Sequence, residues 1–93
     1  MVNYKVTTKR IESQRRFVLP MIEKKVKEIR QRPTTLYINL VTVFSGSSLA
    51  KSLTPQSKEE ADLLRDIVVN DLVDQGHKVR VNGTHVIELT LEK

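Results

Sequence analysis

The strongest constraint on this chain lies between Ser57 and Gly76. Ala61, Leu64, Val68 and Leu72 recur there at helical spacing, with Leu63 and Ile67 on one flank of the stripe and Val69 and Val73 on the other. So wide an apolar arc must meet more than one surface, either a sheet and a second helix or a second copy of the chain. Thr54-Pro55 offers a helix start, with the threonine as cap and the proline in the first turn. Ser57 with Glu60 offers a capping box slightly later. Gly76 ends the helix, as the residue that most readily takes a left-handed cap.

A second helix is predicted from about Thr8 to Gln31, where Ile11, Val18, Ile22, Val26 and Ile29 form one stripe and Leu19 borders it. Pro20 lacks a backbone donor and crowds the carbonyl of Arg16. It falls on the side away from the stripe, which favours one kinked helix over a break. Phe17 points outward on a straight wheel, and a kink at Pro20 would turn it toward the core. Arg15 and Lys25 lie beside the stripe, where a charge must snorkel or pair.

The remaining segments read as strands. Val2, Tyr4 and Val6 alternate with polar residues. After Arg32-Pro33, residues 35–45 are rich in β-branched and aromatic types. Leu36, Ile38, Leu40 and Phe44 form the more apolar face, as in a central strand covered on one side. Residues 46–53 read as a loop with a little apolar content. Beyond Gly76, a three-residue loop ending at Gly83 would set Val79 opposite His85 and His77 opposite Ile87, with the large aliphatic residues on one face.

The expected fold is therefore α/β in the broad sense (α+β), a single domain over residues 1–93. Its predicted order is β-α-β-α-β-β, a two-layer sandwich with two helices on one face of a four-stranded mixed sheet. Packing alone must hold it, since 93 residues contain no cysteine. The predicted order resembles that of small nucleic-acid-binding domains such as the Alba chromatin proteins. The likeness is one of topology, and no residue role is transferred with it.

Charge singles out the first helix. Residues 1–34 hold ten Lys and Arg against three Glu, a net +7, whereas residues 35–93 carry a net −2. A surface so asymmetric attracts polyanions. Lys9, Arg16, Lys24, Lys27 and Arg30 fall opposite or beside the apolar stripe, a pattern suited to nucleic-acid phosphates with little sequence preference. The competing reading is a solvated face balanced by the acidic second helix, which carries Glu59, Glu60, Asp62, Asp66, Asp71 and Asp74 against Lys58 and Arg65.

Other chemistry finds little support. His77 and His85 could meet across the hairpin, but two imidazoles without a Cys or carboxylate pattern are too few for a structural zinc site, so no metal or cofactor is expected. Gly46-Ser-Ser lacks the ending of a phosphate-binding loop. No triad, nucleophile elbow or dinucleotide fingerprint can be assembled, and the chain reads as a non-enzymatic binding module. The alternative is a protein–protein interaction or assembly subunit, of accessory, viral or host-takeover type, using the apolar second helix or a sheet edge. No apolar run approaches a membrane span, and the first residues lack the apolar core of a leader, so a cytoplasmic location is expected.

Overall fold

The computed structural model describes residues 8–92, so the strand expected at Val2–Val6 lies outside the described residues. Helix α1 spans Thr8–Glu28 and passes through Pro20 as one element. Its stripe forms as the spacing dictates: Ile11, Val18 and Ile22 are buried, and Val26 and Ile29 are half-buried near the far end. Phe17 turns inward and stacks on Phe44, with ring centroids 5.4 Å apart.

Strand β1 spans Thr34–Asn39, shorter than the run of β-forming residues predicts. The cause is Asn39, whose Oδ1 accepts from the backbone N–H of Val41 at 2.9 Å and of Thr42 at 3.0 Å. A side chain that closes a turn in this way competes with the ladder and bends the chain out of the sheet. Two short 3-10 helices follow, at Thr42–Gly46 and Lys51–Leu53. Phe44 and Ala50 are buried, so this connection docks on the core.

Helix α2 spans Lys58–Asp74 and starts at Ser57, not at Thr54-Pro55. The residue before a proline is held extended, and Thr54 has φ −56° and ψ 130°. Ser57 Oγ accepts from Glu60 N–H at 3.1 Å. Glu60 Oε1 accepts from Gln56 N–H at 2.6 Å, one residue earlier than a standard capping box would reach. At the other end Gly76 has φ +91°. Its N–H donates to Val73 O at 2.9 Å, and that of His77 donates to Leu72 O at 3.0 Å, the paired bonds of a Schellman cap.

Among the described residues, strands β2 (Lys78–Asn82) and β3 (Val86–Leu91) join β1 in a three-stranded sheet of order β1-β3-β2, with both pairings antiparallel. This corrects the expected four-stranded mixed sheet, and the likeness to Alba proteins loses its topological basis. The centre of the sheet is β3, not β1. The hairpin register also differs, because Asn82 faces Val86 and the loop is Gly83-Thr84-His85. Val79 consequently faces Leu89 and Val81 faces Ile87. The partner of Val79 moves by an even number of residues, so the apolar set stays on one face despite the slip.

Both helices cover that face. Ile38, Ile87, Leu89 and Leu91 join Ile11, Val18 and Ile22 of α1 and Leu64, Val68 and Leu72 of α2 in one buried cluster. The opposite face carries the row Tyr37, Glu88 and Arg80, with Tyr37 63 % exposed. The broad arc of α2 is used unevenly. Ile67 and Val69 pack against the core, whereas Leu63 and Val73 stay exposed.

Candidate nucleic-acid interface

The sequence singles out five cations, and the fold leaves all five exposed. Lys9, Arg16, Lys24 and Lys27 project from α1, and Arg30 follows two residues beyond its end. At 1.5 Å per residue, Lys9 to Lys27 covers about 27 Å along the axis. The same stretch holds Glu23 and Glu28, both exposed. Among the described residues, none of the five cations takes part in an ion pair.

Two other arginines of α1 answer the acidic helix instead. Arg15 grips Asp71 through Nε and Nη2 and also reaches Glu12 at 3.3 Å. The Asp71 carboxylate raises Arg15 above its ordinary value, by its hydrogen bond first and its charge second. Arg10 binds Glu60, a carboxylate only 4 % exposed, and donates to the backbone oxygens of Ser52 and Thr54. Gln14, fully buried, donates from Nε2 to Leu53 O at 2.8 Å. These contacts fasten α1 to α2 and to the connection before it.

The acids of α2 are thus divided. Glu60 and Asp71 hold α1, while Asp62 and Asp66 hold Arg65 of their own helix, with Lys58 also on Asp62. The idea that the two helices neutralise each other describes Arg10 and Arg15 and stops there. Sequence reasoning placed Arg15 and Lys25 beside the stripe, where a charge must snorkel or pair; Arg15 pairs, and Lys25 is exposed with no ion pair among the described residues. It did not single out Arg10, and it named Glu60 as a capping residue and as one of the acids of α2, not as the partner of Arg10.

Other candidate sites separate. His77 precedes β2 and His85 lies in the hairpin loop, so the imidazoles sit at opposite ends of the hairpin and do not meet across it. Among the described residues, no group of three or more His, Asp or Glu is placed to hold a metal ion. No described helix is long and apolar enough to cross a membrane. Compared with protein-family models, characterised proteins and solved structures, the chain gives no significant match.

Proposed function

We propose that this chain is a non-enzymatic binding module that lays α1 along nucleic-acid phosphates through Lys9, Arg16, Lys24, Lys27 and Arg30. The observation that carries the reading is the division of the α1 cations: Arg10 and Arg15 are held by carboxylates of α2, and these five, together with Lys25, are exposed and outside every ion pair among the described residues. Cations held by an internal carboxylate contribute to the fold, whereas cations standing in water can exchange their counterions for phosphates. A row of this kind fixes backbone contacts and carries little base selectivity.

The test is a titration of the chain with duplex DNA, single-stranded DNA and RNA across ionic strength. Expected is measurable binding at low salt that weakens steeply as salt rises. An assembly subunit would act through exposed apolar surface, and Leu63, Val73 and Val81 supply some. Light scattering that finds a tight oligomer indifferent to every nucleic-acid probe at low salt would favour that second reading.

A further inference from the structure

At the end of the sheet where β1 begins and β3 finishes, three separate segments enclose a cleft of about 130 Å³. Arg32 enters from the α1–β1 connection, His77 and Lys78 from the start of β2, and Thr90 and Glu92 from the end of β3. Among the described residues, the lining therefore carries two fixed positive charges, an imidazole, a hydroxyl and a single carboxylate.

Arg32 is half-buried and meets no carboxylate among the described residues. Its Nη2 donates to Val26 O at 3.1 Å and its Nη1 to Glu92 O at 3.5 Å. Carbonyl oxygens orient a guanidinium without neutralising it, and the remaining donors of the fork suit a tetrahedral oxyanion. An anion of the chain itself already lines the cleft: the Glu92 carboxylate accepts from Lys78 Nζ at 2.7 Å. Both partners are more than half exposed, and pairs of this kind are weak enough for a stronger anion to displace.

We propose that this cleft binds a phosphate group, held by Arg32 and Lys78 with donors from His77 and Thr90, and that Glu92 occupies it as an internal competitor. The choice of phosphate over other anions rests on the reading of α1 as a phosphate-tracking helix. The Val26 carbonyl that holds Arg32 belongs to the last turn of α1, the element that carries the row of cations.

Amide NMR of the full chain titrated with inorganic phosphate tests this directly. Saturable shifts are expected at residues 32, 76–78 and 90–92. Glu92→Gln should tighten binding several-fold by removing the competitor, and Arg32→Gln should weaken it by about tenfold through loss of a charge-assisted contact. Because Arg32 also holds Val26 O, Lys78→Gln serves as a second variant and should weaken binding without disturbing that contact. Non-saturating shifts spread over all basic residues, or an affinity unmoved by Glu92→Gln and Lys78→Gln, would overturn the proposal.

Competition by a short 5′-phosphorylated oligonucleotide identifies a strand as the source of the phosphate, and binding without competition identifies free phosphate. If charge reversal on α1 leaves oligonucleotide binding intact while phosphate still saturates the cleft, the α1 reading fails and the cleft stands.

Discussion

Arg15 and Asp71 lie 56 positions apart on different helices and share two parallel hydrogen bonds, Nε to Oδ2 at 2.7 Å and Nη2 to Oδ1 at 2.8 Å. A fork of this geometry fixes the orientation of both partners, which a single lysine contact does not. Arg15→Gln and Asp71→Asn should each lower the thermal midpoint, and the double variant should lose less than the sum of the two. Arg15→Lys should recover only part of the loss. Strictly additive losses in this cycle would mean that the pair is not coupled.

Glu60 joins two jobs in one buried carboxylate, since it accepts from Gln56 N–H at the start of α2 and from Arg10 across the helix interface. Removing one partner of a buried pair leaves the other uncompensated. Glu60→Ala is expected to cost about 3 kcal/mol, the lower end for breaking a buried pair, because Arg10 keeps its bonds to Ser52 and Thr54 oxygens. Urea denaturation measures it, and a cost below about 1 kcal/mol, the scale of an exposed pair, would count against this account.

The Schellman cap makes Gly76 sensitive for a backbone reason alone. A Cβ built there meets nothing within 4 Å, yet φ is +91°. Gly76→Ala should therefore destabilise by about 1–2 kcal/mol, the cost of a left-handed conformation for an L side chain. The same substitution at Gly46, where φ is not positive and a Cβ also meets nothing within 4 Å, should be close to neutral.

The uneven use of the α2 arc predicts contrasting truncations. Leu64→Ala removes a side chain with no exposure and should cost about 2–5 kcal/mol. Val73→Ala, at 52 % exposure, should stay within about 0.5 kcal/mol in dilute solution. A loss at Val73 that grows with protein concentration would instead report self-association through that flank.

Lys78 gives a pH signature. The Glu92 carboxylate raises the lysine above its ordinary value of 10.5, by the hydrogen bond first and charge attraction second. A group whose folded-state value is raised adds stability that is fully present below pH 10.5 and disappears as pH climbs through the raised value. NMR titration of the Lys78 side chain should place its midpoint above that of a free lysine. Glu92→Gln should return it to the ordinary range.

The parts of this fold visible in the sequence are those governed by local periodicity and special residues. Both helices follow from apolar spacing, and Gly76 and Ser57 mark the ends of α2 by conformational freedom and side-chain capping. The early end of β1 was hidden because Val41, Thr42 and Val43 all favour strands, while the decision lies with the side chain of one residue, Asn39. The hairpin register was ambiguous for a related reason: every even shift keeps the aliphatic face intact, so patterning cannot choose among them. The division of the α1 cations into paired and exposed sets depends on contacts 50 and 56 positions apart, which no local pattern encodes. Five of the exposed positions, by contrast, were legible from the wheel, whereas Lys25, set beside the apolar stripe there, is exposed as well and joins no ion pair among the described residues.

The claim that α1 tracks nucleic-acid phosphates is tested most directly by comparing the salt dependence of duplex binding for the wild type and for a triple variant, Lys24→Glu, Lys27→Glu and Arg30→Glu. Five engaged cations predict a slope of log affinity against log salt of about −4.5. The triple variant should lose more than tenfold in affinity at low salt, with a slope shallower by about 2.7 units. Unchanged affinity and slope in a folded triple variant would contradict the assignment of this helix as the interface.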